Sequence, residues 1–212
     1  MAEKILAYAL TTVARVKDRM QITVSDNDSV LQRLVNAVTD FIEGETGRRF
    51  KETTYTDEVY SFEDRQAILA VRNIPVTALS DLKFRAGTPS QPNYTSLSTD
   101  QYELLENGQT GLIQLYGMIF GNVVNVLKVT YTAGYKINFS NAGDAGDATP
   151  THTLPADLTD LAERLVVRWW KRRELGGKLS EGLQGGSIQW KDLLDSEDVE
   201  TINRYRRPPA FV

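Results

Sequence analysis

Between Ser25 and Phe50 the apolar residues fall at Leu31, Leu34, Val35, Val38, Phe41 and Ile42. That spacing predicts a helix with one apolar stripe, leaving Gln32, Arg33, Asn36, Asp40 and Glu43 on the opposite face. Ser25 or Asp26 is expected to cap its start. Gly44 and Gly47 supply stop signals, and Arg48–Arg49 follow where the helix dipole favours cations. A shorter helix is expected over Thr11–Met20, capped by Thr11 or Thr12, with Val13, Val16 and Met20 on one side. Two amphipathic helices joined only by Gln21–Ser25 should pack together and still leave an apolar face wanting a partner.

After Phe50 the period shortens towards two. Thr53–Tyr60 predicts a strand, Ala67–Val71 a short apolar one broken at Asn73-Ile74-Pro75, and Val76–Arg85 another. Ala86–Ser98, rich in Gly, Pro, Ser and Thr, is expected to be a surface loop. Tyr102–Leu105 and Gly111–Tyr116 flank Asn107-Gly108 and predict a hairpin. Asn125–Tyr135 alternates most clearly, with Leu127, Val129 and Tyr131 opposing Val126, Lys128, Thr130 and Thr132. Ile137–Thr153 holds little to bury and is expected to be a flexible connection.

Pro155 opens a third helix with Asp157 and Asp160 early and Lys171, Arg172 and Arg173 late, in keeping with helix polarity. Its apolar face, Leu158, Leu161, Ala162, Leu165, Val166, Trp169 and Trp170, is wider than one partner requires. A last helix is expected over Ile188–Arg207 with Trp190, Leu193, Leu194, Val199 and Ile202 as apolar members. Pro208-Pro209 forbids helix beyond it, so the chain is expected to end in an extended tail. The expected fold class is α+β, a helical bundle of two N-terminal and two C-terminal helices with a β-rich insertion between the second and third. The bundle takes residues 1–50 and 151–212, the insertion 51–137, and a flexible loop 138–150.

The composition admits this plan and narrows the function. The 212 residues are 41% hydrophobic, enough for a core, and 25% charged. A net charge of −4 argues against a surface-wide nucleic-acid binder. Absence of cysteine excludes disulfides, thiol catalysis and cysteine metal sites. The N-terminal apolar run Ile5–Leu10 is too short for a signal peptide, and no stretch approaches the roughly 20 apolar residues of a membrane span, so a soluble protein is expected.

Candidate chemistry is sparse. His152 is the single histidine and falls in the expected loop, an unpositioned base for any triad. Asp157/Asp160 and Glu197/Asp198/Glu200 resemble acid–base pairs, but their helical positions assign them to solvated faces. Gly176-Gly177 and Gly185-Gly186 lack a following Gly-Lys-Ser/Thr and are expected to be hinges. No metal-ligand spacing occurs, so catalytic residues, cofactor and metal are all expected to be none. The basic cluster Arg168, Lys171, Arg172, Arg173 and Lys178 either complements the helix dipole or contacts DNA phosphates or an acidic neighbour.

An ordered set of short motifs resembles the head–tail connector (adaptor) proteins of tailed double-stranded-DNA phages. It comprises Leu10-Thr11-Thr12-Val13, Asn27-Asp28, Phe41-Ile42-Glu43 and Thr46-Gly47-Arg48-Arg49-Phe50. Pro75-Val76-Thr77, Gly111-Leu112-Ile113, Val129-Thr130-Tyr131-Thr132-Ala133-Gly134-Tyr135 and Leu154-Pro155 continue it. The resemblance covers most of residues 10–175; the Asn138–Pro150 loop departs from it, and residues 176–212 have no residue-by-residue match.

The resemblance implies a structural, non-enzymatic virion protein at the head–tail junction, assembled in the host cytoplasm. It implies a ring of about twelve subunits under the portal protein, extending the DNA channel and receiving a tail-side connector or tail terminator. Double-stranded DNA would pass through the lumen without sequence-specific binding, and no membrane is involved. A tail-side closure, stopper or tail-completion protein is the alternative. Tyr205, Arg206, Arg207, Pro208, Pro209, Phe211 and Val212 form the expected portal interface, combining anchors, charge and a stiffened backbone. Trp169, Trp170, Arg172 and Arg173 form the expected subunit interface, with one tryptophan in the core and one against a neighbour.

Overall fold

A computed structural model describes residues 6–62, 67–88, 91–118, 123–139, 152–175 and 194–206. It is an α+β protein whose described chain divides into two compact units, one within Met1–Arg48 and Lys136–Arg206 and the other within Arg49–Tyr135.

The first unit is helical. Helix α1 (Val13–Met20) begins where Thr12 accepts the Arg15 N–H on its side chain, and it ends at Gln21 in a left-handed conformation. Helix α2 (Asp28–Thr46) ends at Gly47, φ 66°, whose N–H returns to the carbonyls of Glu43 and Gly44. The expected caps Ser25 and Asp26 instead belong to the preceding turn. There the Ser25 carbonyl accepts the Asp28 N–H at 3.0 Å, and Asn27 is the N-cap. Helix α3 is Ala156–Leu175 and helix α4 is Ser196–Tyr205. Leu31, Val35, Val38 and Ile42 of α2 are buried, as are Leu158, Leu161, Leu165 and Val166 of α3. Those two helices pack on each other, and α1 joins both through Val13 and Val16. Each such leucine contributes about 1.5–3 kcal/mol by leaving water.

Two residues expected on the solvent face of α2 are buried, Asn36 and Glu43. For Asn36 the cause is the segment before α1, which crosses this side of the helix. Asn36 Oδ1 accepts the Leu6 N–H at 3.0 Å, and Thr39 Oγ1 accepts the Leu10 N–H at 3.2 Å. Helix α4 starts at Ser196, so the helix expected over Ile188–Arg207 is broken at Leu194 and Asp195, and its part over 188–193 lies outside the described residues. Asp195 and Asp198 form a capping box there, which ends helix propagation in the N-terminal direction. Leu194 is non-helical, and Trp190 and Leu193 lie outside the described residues. So do the glycine pairs and Lys178.

The second unit holds two antiparallel sheets. Strands β1 (Thr53–Phe62), β3 (Val76–Thr88), β4 (Gln91–Ser96) and β7 (Val123–Ala133) form one sheet, ordered β1-β7-β3-β4. Strands β2 (Ile68–Ala70), β5 (Tyr102–Leu104) and β6 (Leu112–Leu115) form the other, ordered β2-β6-β5. Leu82, Leu127, Val129 and Tyr131 from the larger sheet and Leu69, Ile113 and Leu115 from the smaller share one apolar cluster. The alternation expected for β7 is present from Leu127 onward, while Val126, expected on the opposite face, is also buried at 4% exposure. Leu127, Val129, Tyr131 and Ala133 are fully buried, while Lys128, Thr130 and Thr132 between them are half-buried.

The expected loop Ala86–Ser98 is instead a hairpin. Lys83 pairs with Ser96, Phe84 with Thr95, Arg85 with Tyr94 and Ala86 with Asn93. A polar sequence suffices because β4 is an edge strand, where even Pro92 is tolerated. Tyr94 ties that edge inward: its hydroxyl donates to the Asn125 carbonyl at 2.9 Å, and the Lys128 ammonium lies 4.4 Å from its ring centre. Strand β1 bulges at Asp57, φ 52°. There the carboxylate receives Lys83 Nζ at 2.9 Å, which holds its pKa below the ordinary value.

Candidate docking surface on the third and fourth helices

Helix α3 carries acidic and basic residues three and four apart, Asp160, Glu163, Arg164 and Arg168, along one side. In the fold that side is a chain of ion pairs. Glu163, buried, receives Arg15 Nε at 2.7 Å and the Thr11 hydroxyl at 3.3 Å, and Arg19 reaches it at 3.4 Å. Arg19 also binds Asp160 at 2.5 Å, and that hydrogen bond raises its pKa. Arg164 continues the series to Asp160 at 3.4 Å, Glu197 at 2.6 Å and Asp198 at 3.1 Å. Arg168 closes it on Asp195 and Asp198, each at 2.5 Å.

Asp198 is the residue that the sequence pattern misassigned most. Expected on a solvated face, it is 1% exposed. Two guanidinium groups and the Asp195 N–H, at 3.0 Å, surround its carboxylate. Asp157 is likewise engaged, accepting the Tyr205 hydroxyl at 2.7 Å and Arg204 at 3.3 Å. Arg168, a member of the basic cluster read either as a dipole complement or as a contact for outside partners, is therefore engaged inside the unit.

The expected subunit-interface residues lie near the end of α3. Trp170 is 5% exposed, with the Arg173 guanidinium 4.3 Å from its ring centre. Trp169 is half-buried and meets Phe41 edge-on, centroids 5.6 Å apart. Its indole N–H finds no acceptor among the described residues. Arg172 is half-buried and Arg173 exposed.

Of the expected portal-interface residues, Tyr205 and Arg206 are held within the first unit. Arg48 donates to the Tyr205 carbonyl at 3.1 Å, while Arg206 donates to the Glu45 carbonyl at 3.2 Å and pairs with its carboxylate at 3.6 Å. Tyr205 is the last residue of α4 and Arg206 is already extended, so the helix ends two residues before the expected Arg207. Arg207, Pro208, Pro209, Phe211 and Val212 lie outside the described residues.

His152 is positioned after all. Its Nδ1 accepts the Asn138 N–H at 3.1 Å, Phe139 packs on its ring at 4.8 Å, and Thr153 N–H reaches the Lys136 carbonyl at 2.9 Å. The ends of the expected loop are thus clasped together, and residues 140–151 lie outside the described set. Burial and the neighbouring Arg15 guanidinium hold the imidazole below the ordinary histidine pKa. With its Nδ1 accepting a backbone N–H, the ring joins the two chain ends.

In the second unit one carboxylate organises a polar cluster. Glu58 accepts the Tyr131 hydroxyl at 2.5 Å, the Tyr60 hydroxyl at 2.6 Å and Arg72 at 2.9 Å. Burial alone would raise its pKa, but these three donors outweigh it and the value lies below the ordinary one. Burial and the Glu58 bond push Tyr131 up to about 12. Among the described residues no group of His, Cys, Asp or Glu could hold a metal ion, and no helix is long and apolar enough to cross a membrane.

The fold has counterparts among solved structures. A chain in the structure titled "Neck of empty GTA particle computed with C6 symmetry" matches with a TM-score of 0.56 at 15% identity, covering 98% of this chain and 96% of that one. A chain in "Virion of native gene transfer agent (GTA) particle" matches with a TM-score of 0.51 at 17% identity, covering 97% and 93%. No curated protein matches the chain. The family model described as "Head completion protein" matches residues 9–207, which takes in both units and every helix and strand described above. The chain therefore belongs to the head completion protein family, among the structural head–tail connector proteins of phage virions.

Proposed function

We propose that this protein forms a ring beneath the portal, continues the DNA channel and presents the surface on which the tail is completed. The family match over residues 9–207 carries the reading. The similarity to a chain from a neck reconstructed with C6 symmetry supports a ring. Twelve subunits satisfy a sixfold operator with two subunits per repeat, and identical subunits multiply weak contacts through symmetry. Trp169 supports a subunit contact at the end of α3, since its half-buried ring leaves aromatic surface for a neighbouring subunit to cover. Trp170, Arg172 and Arg173 flank it. Residues 207–212, after the anchored Tyr205 and Arg206, are the proposed portal-docking segment, with Phe211 as anchor. DNA passes without base-specific contacts.

The test is mass photometry of the protein alone and mixed with purified portal rings. The proposal expects the portal peak to shift by a saturating mass near twelve subunits. No shift at low or moderate salt, together with binding to tail components, would replace it with a tail-side closure or stopper role.

A further inference from the structure

We propose that α4 is a salt-releasable strap, held on α3 by charge and able to undock while the α1–α3 bundle stays folded. Three observations carry this. First, the helix has only Ile202 as a buried apolar residue; its other buried positions are Asp198 and Thr201. Second, the grip is ionic at both ends. Arg164 and Arg168 hold Asp198, Asp195 and Glu197 at the start; at the end Asp157 pairs with Arg204 and Glu45 with Arg206, and Arg48 adds a hydrogen bond to the Tyr205 carbonyl. Third, α4 is ten residues long, below the length at which an isolated helix persists in water, so leaving its site also melts it.

The physical balance makes such a strap weak. Ion pairs taken from water recover in mutual attraction little more than they lose in hydration, so their net contribution is small. Asp198 at the centre is 1% exposed and screened less, but the pairs around it stay wet, with side-chain exposures of 69% for Asp195, 74% for Glu197 and 59% for Arg204, and these are screened by salt. Helices α2 and α3 are held together by apolar burial, through Leu31, Val35, Val38 and Ile42 against Leu158, Leu161, Leu165 and Val166, which salt does not weaken. Two parts of one unit therefore answer ionic strength with opposite sign. Released, α4 uncovers Arg164 and Arg168, two guanidinium groups one helical turn apart and spaced to grip a single carboxylate. The inference does not depend on where in the neck the protein sits.

Hydrogen–deuterium exchange of the full chain, read by peptide mass, tests it in 50 mM and 500 mM sodium chloride. Exchange over residues 196–206 should rise at least about tenfold at high salt, with α2 and α3 unchanged. Asp198→Asn should produce the same protection loss at low salt, and Ile202→Ala a smaller one. Protection of α4 that tracks α2 and α3 at both salts would overturn the proposal. So would a larger loss in I202A than in D198N, because apolar burial would then be the main attachment.

Discussion

Single side chains account for the places where the pattern of apolar positions misled. Asn36, Glu43, Glu163 and Asp198 are all polar, all at helical positions a stripe argument sends outward, and all buried. For three of them the partners are distant in sequence, from Leu6 for Asn36 to Arg15 for Glu163 and the arginines of α3 for Asp198, and periodicity does not encode them. His152 has the same history, and as the sole histidine it offers an uncluttered test. Its folded pKa lies below the unfolded one, so the neutral clasp is at full strength above about pH 6.5 and is lost as pH falls through the folded value. A proton NMR titration should show a depressed His152 pKa, with the Asn138 amide losing protection as the ring protonates. Glu58 obeys the same sign with a carboxylate. Its contribution is complete above about pH 4.5 and disappears below its folded value, so Glu58→Gln should flatten the acid limb of thermal stability measured from pH 6 to 3.

At the level of elements, helices α1 to α3 and the strongest strand were legible because their periods are long and their partners are mutual. The Tyr102–Tyr116 hairpin was legible from Asn107-Gly108, although its connection is a longer turn in which Glu106, Asn107 and Gly108 all adopt positive φ. Strand β4 was not, because an edge strand needs no apolar face to be paired. Gly108 shows how tightly that turn is fixed. A Cβ there would lie 2.1 Å from the Val76 carbonyl oxygen, at φ +80°. Gly108→Ala should therefore cost at least about 1–2 kcal/mol, from backbone conformation alone, and lower the melting temperature. An unchanged midpoint in a thermal scan would contradict the placement of that turn against β3. In the bundle, Leu165→Ala should cost about 2–5 kcal/mol, read by urea denaturation, because the fully buried site has no water to refill it.

For the whole molecule the described contacts sharpen the test of the C-terminus. Truncation before Tyr205 would remove its bonds to Asp157 and Arg48 and those of Arg206 to Glu45, so it would confuse folding with docking. Removal of residues 207–212 keeps those bonds, and it should leave the melting curve intact while reducing attachment to portal rings. A truncated protein that saturates the portal normally would remove the tail from the interface. Little of the proposed docking role was readable in composition, whose net acidity argues only against a surface-wide nucleic-acid binder. The family emerged from the order of many weak motifs.

The bridge between Lys51 and Tyr135 has a consequence for manufacture of the protein. Glu52 N–H donates to the Tyr135 carbonyl at 2.8 Å and Tyr135 N–H to the Phe50 carbonyl at 2.7 Å, so the chain enters and leaves the β unit through adjacent doors. On the ribosome, β1 through β7 can close as soon as Tyr135 emerges, whereas α1 and α2 must wait more than a hundred residues for α3. The unit made second should thus be finished first, and a gene with residues 49–135 replaced by a short glycine linker should still encode a foldable bundle.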